Sequence, residues 1–143
     1  MKKRIWVIII FVTIGLIAVT GTLLKKHTGI RCDFDGTRIQ PIYEVKITFE
    51  DNTIEQFCSV VCALLHLKNE TKKFKYITVV DEVSGNKIDP SLAFFVESDV
   101  LTIPHVKNNI HVFAKKEDAQ RHATQFNGKL ISDPFRKFCY LEK

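Results

Sequence analysis

The sequence predicts an α+β protein in which an N-terminal transmembrane helix precedes a mixed or antiparallel sheet covered by two helices. Three observations support this prediction. The chain begins with a long uncharged run, short segments of alternating polar and apolar residues follow it, and two segments with helical spacing interrupt those strands. With 143 residues, the chain has room for one domain beyond the apolar run.

Residues 5–24 are uncharged and mainly apolar. As a helix they would extend about 30 Å, which is the thickness of the hydrocarbon part of a bilayer. The run is longer than the apolar part of a cleavable signal peptide, and no Ala-x-Ala site follows it. Basic residues flank it, three before and two after, which favours a cytoplasmic N-terminus. We therefore expect a cytoplasmic stub at 1–4, a single-pass signal anchor at 5–24 and an extracytoplasmic domain at 25–143 of a cell-membrane protein.

The positive charge of the chain does not indicate a nucleic-acid partner. The formal net charge is +5, from 21 basic and 16 acidic residues. Three of the basic residues are Lys2, Lys3 and Arg4, so the rest of the chain has 18 basic against 16 acidic residues, or +2. A hydrophobic content of 45% excludes a disordered chain. The composition therefore predicts a globular domain without a nucleic-acid surface.

The predicted elements follow the order β-β-α, β-β-β, α-β. Residues 43–49 alternate, which places Tyr43, Val45, Ile47 and Phe49 on one face of a half-buried strand. A polar turn at 50–52 leads to a second strand at 54–57, and this strand leads to a helix at about 59–67. Further strands are predicted at 75–80, 92–96, 110–114 and 129–131, with an edge segment at 100–103.

The second predicted helix begins at Lys116 and has acidic residues in its first turn, where the helix dipole favours them. Ala119, Ala123 and Phe126 would form its buried stripe. The pair Asn127-Gly128 is typical of a helix C-terminus and predicts that the helix ends there.

The candidate functional site is the stretch Phe57-Cys58-Ser59-Val60-Val61-Cys62-Ala63-Leu64-Leu65-His66. On a helix, Cys58, Cys62 and His66 lie on one face, because residues four apart are neighbours. Cys32 lies upstream, and the predicted hairpin at 43–57 would return the chain to it. Thiolates and imidazole bind Cu(I) and Zn(II), whereas Ca and Mg require oxygen ligands. We therefore predict a soft-metal site of Cys32, Cys58 and Cys62, with His66 or His105 as the fourth ligand.

Other assignments of these residues remain open. Free cysteines are often buried as small hydrophobic residues, and outside the cytoplasm they tend to form disulfides. Four cysteines allow three pairings, of which Cys58 with Cys62 has the least favourable geometry. Cys139 is a fourth ligand or a core residue, and we prefer the core. His66 also fits a helix-surface or core residue, and the remaining histidines are expected to be structural or solvent-facing: His27, His111 and His122.

Two parts of the sequence resemble known families. Cys32 with Phe34-Asp35-Gly36-Thr37, followed by Phe57-Cys58-Ser59 and Cys62, resembles the TRASH and YHS type of metal-binding module. In those modules the order is a Cys, then a long gap, and then the pattern Phe-Cys-Ser-x-x-Cys. Residues 79–131 resemble the NosL family, most closely in the segments 80–96, 111–119 and 126–130.

The resemblance implies an extracytoplasmic Cu(I)-binding protein that supplies copper during assembly of nitrous oxide reductase. It also implies an α+β fold related to that of organomercurial lyase. Family members are typically lipoproteins, whereas this chain has a predicted spanning segment. They commonly have Pro-Met where this chain has Pro104-His105, so a ligand at this position would be His105. The expected partners are the metal ion, the membrane, and a client metalloenzyme or a copper exporter.

The sequence does not indicate an enzyme. It has no Ser/His/Asp arrangement, phosphate-binding loop or paired-carboxylate motif, and Cys-x-x-x-Cys differs from the redox motif Cys-x-x-Cys. We therefore predict a membrane-anchored metallochaperone. The alternative is a structural zinc-binding or disulfide-stabilised interaction module in a membrane complex.

Overall fold

The computed structural model describes residues 30–139, except for the side chains of Pro104 and Cys139. The predicted stub and signal anchor at 1–24 lie outside this range, and so does His27. None of the helices in the described part has the length and apolar character that a membrane span requires.

In the described range, seven strands form two antiparallel sheets. The first has the order β2-β1-β3-β4 and the second the order β6-β5-β7. The first contains β1 (Val45–Phe49), β2 (Ile54–Phe57), β3 (Phe74–Val80) and β4 (Lys87–Ile88), and the second contains β5 (Phe94–Glu97), β6 (Ile110–Phe113) and β7 (Lys129–Ile131). The predicted α+β class with antiparallel strands is confirmed.

The prediction of a single sheet is wrong, because the strands form two separate sheets and a 3₁₀ turn lies between β4 and β5. Asp89 lies at the start of a 3₁₀ turn, Pro90–Leu92, and its carboxylate accepts a hydrogen bond from the Ser91 amide at 2.8 Å. Proline cannot donate a backbone hydrogen bond to a sheet. The turn therefore separates β4 from β5, and β5 begins two residues later than the predicted strand.

Strand β1 forms the centre of the first sheet. Ile47 pairs with Glu55 of β2 on one side and with Ile77 of β3 on the other. Val45, Ile47 and Phe49 are buried, as the alternation of this segment predicts. Tyr43, predicted on the same face, is half-buried and belongs to the 3₁₀ turn Pro41–Tyr43.

Three α-helices accompany the sheets in the described residues: α1 (Val60–Leu67), α2 (Lys116–Gln125) and α3 (Arg136–Cys139). Helix α1 packs its buried residues into the main core, and the core also includes Phe95 and Phe135. Ala119 of α2 is buried against Val96 and Phe113. Phe126 was predicted in the same stripe, but it lies beyond the last turn of α2 and is 36% exposed.

The end of α2 lies against the second sheet. Asn127 has the left-handed backbone (φ 49°) that follows many helices, and the Gly128 amide donates to the Ala123 carbonyl at 2.8 Å. A Cβ atom at Gly128 would lie 2.9 Å from both the Ser98 Cβ and the Val96 Cγ1. Glycine is therefore required at this position for close packing of the helix end on β5.

The predicted edge segment at 100–103 is not a strand. Ile103 forms an isolated bridge with Asn108, and the 3₁₀ turn Pro104–Val106 lies between them. The buried Asn108 amide donates to the Thr102 hydroxyl at 2.7 Å and to the Ile110 carbonyl at 3.4 Å. These side-chain hydrogen bonds hold a compact loop in place of a strand, and the loop carries His105.

Two acidic residues after β3 connect the two sheets. The buried Asp81 carboxylate accepts hydrogen bonds from the Ala114 amide at 3.0 Å and from the Ser84 amide at 3.0 Å. The Glu82 carboxylate accepts from the Val112 amide at 3.1 Å, and the Glu82 amide donates to the Val112 carbonyl at 3.0 Å. Because Val112 lies in β6, these hydrogen bonds join the end of β3 to the second sheet.

Two of the histidines expected to be structural belong to this junction. His111 is 1% exposed, with its Nδ1 2.9 Å from Glu82 Oε2 and its Nε2 3.2 Å from the Val100 carbonyl oxygen. The His122 ring lies 4.2 Å from the His111 ring, measured between centroids, and its Nε2 is 3.1 Å from the Ser98 hydroxyl. The hydrogen bonds and the ring contact give both histidines a structural role at this junction.

Candidate metal centre

Cys32 lies in a tight loop that closes on itself. Arg31 and Arg38 form an isolated antiparallel bridge, and the Cys32 amide donates to the Thr37 carbonyl at 2.8 Å. The Gly36 amide donates to the Cys32 carbonyl at 2.9 Å. Gly36 has a φ of +73°, a backbone conformation that glycine adopts without strain. The Asp-Gly-Thr sequence therefore fixes the loop that carries the first thiol.

Hydrogen bonds to the edge strand β2 hold this loop next to the helix. The Asp33 amide donates to the Gln56 carbonyl at 2.9 Å, and the Gln56 amide donates to the Asp33 carboxylate at 2.6 Å. Cys58 follows the last residue of β2 by one position. The loop and the start of α1 therefore meet at the same end of β2.

The start of α1 presents the second and third thiols. Ser59 is the N-cap, and its hydroxyl accepts a hydrogen bond from the Cys62 amide at 3.1 Å. The Cys58 and Cys62 sulfurs are 3.5 Å apart, far beyond the bond length of about 2.05 Å in a disulfide. Cys32, Cys58 and Cys62 are all free and buried, with 3%, 0% and 0% exposure.

The three thiols converge on one carboxylate. The three Sγ atoms and an oxygen of Asp35 all lie within 4.8 Å of one another. Asp35 Oδ2 is 3.7 Å from Cys62 Sγ and 3.9 Å from Cys58 Sγ. Sulfurs bound tetrahedrally at about 2.3 Å from a metal lie about 3.8 Å apart. The cluster therefore has the dimensions of a metal site.

The fold of this chain is similar to that of a solved protein structure. No family model matches the sequence, and no curated protein matches it either. Among solved structures, the crystal structure of the copper chaperone NosL from Shewanella denitrificans matches with a TM-score of 0.63. The chain has the fold of NosL. The two sequences are 21% identical, and the match covers 72% of this chain and 86% of that chain.

The comparison confirms the NosL-like fold that the sequence predicts. The NosL of that organism is a copper chaperone. At 21% identity the likeness to NosL establishes the fold alone. The metal chemistry of this chain must therefore be inferred from its own residues.

Neither of the two histidines predicted as fourth ligands belongs to the thiol cluster. His66 Nε2 is 2.8 Å from Glu55 Oε2 and belongs to a separate group. His105 Nε2 is 2.7 Å from the Thr37 hydroxyl and 3.8 Å from Asp35 Oδ2, and its side chain is 59% exposed. The fourth donor that meets the sulfurs in this structure is Asp35.

Two thiols of the cluster, Cys58 and Cys62, differ from the Asp35 carboxylate in protonation state at neutral pH. Burial raises the pKa of Cys58, and the neighbouring Cys62 sulfur raises it further. Burial likewise raises the pKa of Cys62 to about 11. Burial alone would raise the pKa of Asp35, but hydrogen bonds from the Thr37 amide and the Cys32 thiol outweigh it and lower that pKa. Two neutral thiols therefore face an ionised carboxylate.

Asp35 is the donor that the sequence analysis did not select. It belongs to the segment that resembles metal-binding modules, but the spacing of the cysteines and histidines does not indicate it as a ligand. The available signal was its place three residues after Cys32, directly before the glycine of a tight turn. Its carboxylate is fixed by the Thr37 amide, which donates to Oδ1 at 3.0 Å and leaves Oδ2 directed at the sulfurs.

Proposed function

We propose that this protein is a metallochaperone that binds a soft metal ion, Cu(I), through Cys32, Cys58 and Cys62 and passes it to a client protein. The observation that supports the proposal most is the convergence of three buried, free thiols and Asp35 within 4.8 Å. Thiolates select Cu(I) over harder ions. The copper assignment also draws on the shared fold, because NosL is a copper chaperone.

Transfer requires that an incoming ligand can reach the bound ion. The His105 side chain is 59% exposed, and it lies 3.8 Å from the Asp35 side chain, which is 18% exposed. A carboxylate is a weak ligand for Cu(I), so three thiolates would hold the ion and the side next to Asp35 would remain open to exchange. We assign this side of the cluster, with His105 at its rim, to ligand exchange with the client.

We further propose that residues 5–24 anchor the domain on the outer side of the cell membrane. The support is the uncharged run at 5–24 with basic residues on both sides. An anchored chaperone would receive ions from a membrane exporter and deliver them to a cuproenzyme such as nitrous oxide reductase.

Anaerobic Cu(I) titration of the full chain against a competing Cu(I) chelator tests the binding step. We expect one tightly bound Cu(I), with sulfur scattering in X-ray absorption. Cys58→Ser and Cys62→Ser should weaken binding by about 100-fold or more, since each removes a direct ligand. Glu117→Gln, at an exposed position of α2, is the matched control and should leave the affinity unchanged. Weak binding, or equal affinity in all three variants, would contradict the proposal.

Structural zinc is the second candidate function. It is favoured by the fourth donor, since three thiolates and Asp35 would complete a closed tetrahedral zinc site. A structural zinc contributes folding free energy, so its removal unfolds the domain. Circular dichroism of the metal-free chain separates the two: a chaperone stays folded without metal, whereas a structural zinc protein does not.

A further inference from the structure

A second group of ligand atoms lies at the other end of α1. It consists of Glu55 on β2, His66 in the last turn of α1 and Glu70 just beyond the helix. One ligand atom from each lies within 4.8 Å of the others. His66 Nε2 is 2.8 Å from Glu55 Oε2 and 3.4 Å from Glu70 Oε2. The group contains no thiol and is distinct from the cluster of Cys32, Asp35, Cys58 and Cys62.

These separations suit a shared metal ion. Nitrogen and oxygen ligands bind Zn(II) at about 2.0 to 2.2 Å, which places adjacent ligand atoms about 2.9 Å apart in an octahedron and about 3.4 Å apart in a tetrahedron. The observed separations of 2.8 and 3.4 Å cover this range. Three such atoms around one point would need little rearrangement to bind a cation.

Two of the three ligand atoms also lack a hydrogen bond. Glu55 Oε2 and His66 Nε2 are enclosed by the protein, and neither has a hydrogen-bond partner in the structure. Their contact of 2.8 Å is therefore close but not directed as a hydrogen bond is. Buried polar atoms almost always have a partner, and a cation between these two atoms would supply it for both.

The surrounding structure holds the ligands in place. Glu70 Oε1 accepts hydrogen bonds from the Thr71 and Lys72 amides, both at 2.8 Å, which leaves Oε2 directed at His66. The hydrogen bond from the Lys72 amide also lowers the pKa of Glu70, so its carboxylate is ionised at neutral pH. The His66 ring packs against Phe57 with centroids 5.0 Å apart. Such fixed second contacts are typical of ligands that bind metal.

We propose that Glu55, His66 and Glu70 bind a divalent cation of the Zn(II) class. Imidazole with two carboxylates suits borderline divalent ions, whereas Cu(I) prefers sulfur. Three protein ligands leave at least one coordination position for water or for a group from a partner. The protein would then have two metal sites on one helix with opposite preferences, a soft site at the start of α1 and a harder one at its end.

Co(II) titration of the full chain under anaerobic conditions tests this site. Co(II) bound by thiolates shows sulfur-to-metal charge-transfer absorption, whereas Co(II) bound by nitrogen and oxygen shows only weak d–d bands, so the two sites are read separately. We expect a component without charge transfer. Glu70→Gln and His66→Gln should weaken that component by about 100-fold and leave the thiolate bands unchanged. Glu117→Gln, at an exposed position of α2, is the matched control and should change neither.

The result is independent of the thiolate site, because the absorption of each site is measured on its own. Absence of the second component in the unmodified chain would overturn the proposal, and so would a component of unchanged affinity in Glu70→Gln. Circular dichroism checks that each variant is folded. If His66→Gln fails to fold, Glu70→Gln and Glu55→Gln decide the question.

Discussion

Asp35 supplies the only oxygen in a cluster that otherwise consists of sulfur, among the residues that the structure describes. Its Oδ1 is fixed by the Thr37 amide, and its Oδ2 faces the thiols. Cu(I) gains little from a carboxylate, whereas Zn(II) accepts one readily as a fourth ligand. The contribution of this one residue therefore depends on which ion the site holds.

We expect Asp35→Asn to separate the two ions. The amide oxygen can still accept from Thr37, so the loop is retained, but the charge at the site is lost. Cu(I) affinity should change by less than about fivefold, and Zn(II) affinity should fall by about 10- to 100-fold. Chelator competition with each metal measures both. A large loss of Cu(I) affinity would mean that Asp35 binds the copper directly.

Metal affinity should also rise with pH. The raised pKa values of Cys58 and Cys62 keep both thiols protonated at neutral pH, so each must release a proton when it binds metal. These two protons alone give an apparent affinity that rises by at least about 100-fold per pH unit between pH 6 and 8. Competition titrations across this range measure the slope. Cys62→Ser should reduce the rise per pH unit by a factor of about ten, and a slope near zero in the unmodified chain would contradict the expected protonation.

At the scale of elements, the helix-capping residues show what local sequence determines. Ser59 begins α1 as its N-cap, and the predicted helix at 59–67 agrees with the observed Val60–Leu67. The strands at 54–57 and 129–131 also have the predicted bounds. In contrast, Asn108 replaces a predicted strand at 100–103 by a loop through hydrogen bonds to Thr102 and Ile110. Such side-chain contacts are not visible in hydrophobic periodicity.

The same distinction applies to the candidate site. The cysteines could be selected from residue type and spacing, because Cys58 and Cys62 share one face of a helix and thiolates are ligands for soft metal ions. Asp35 could not, because its role depends on how the loop docks on β2 through Asp33. Glu55 could not be selected either, because it meets His66 only after β2 and α1 have packed together. Glu70, four residues after His66, could have been paired with it from the spacing alone.

The junction between α2 and β5 offers a stability test. Gly128→Ala places a methyl group 2.9 Å from Val96 Cγ1, inside van der Waals contact, and should lower the free energy of unfolding by about 1 to 3 kcal/mol. Gly85→Ala is the comparison, because no atom lies within 4 Å and only the left-handed backbone (φ +72°) is unfavourable. Its cost should be about 1 kcal/mol. Urea denaturation of both variants measures the difference, and equal costs would mean that Gly128 has room to spare.

At the scale of the whole molecule, Asp81 and Glu82 connect the sheet that positions the thiols to the sheet that carries α2. The prediction of one sheet missed this junction, because pairing between distant strands is not encoded in the pattern of either. Both acidic residues directly follow the last residue of β3, and their carboxylates accept hydrogen bonds from the Val112 and Ala114 amides.

We expect Asp81→Ala to destabilise the whole domain. The change leaves the Ala114 and Ser84 amides without their acceptor, at a cost of about 3 kcal/mol in the free energy of unfolding. Glu50→Ala, at an exposed position, should change it by less than about 0.5 kcal/mol. Urea denaturation followed by circular dichroism compares the two. A loss at Asp81 no larger than that at Glu50 would mean that water satisfies both amides.

The docking of the Cys32 loop on Gln56 has a consequence for solubility. Strand β2 is an edge strand of its sheet, and an uncovered edge strand can pair with a strand of another molecule. Asp33 occupies both backbone groups of Gln56 that face outward. The segment that brings the first thiol to the helix therefore also protects the protein from self-association. If transfer of the ion displaces this loop, the edge of β2 is uncovered and the protein becomes prone to aggregate.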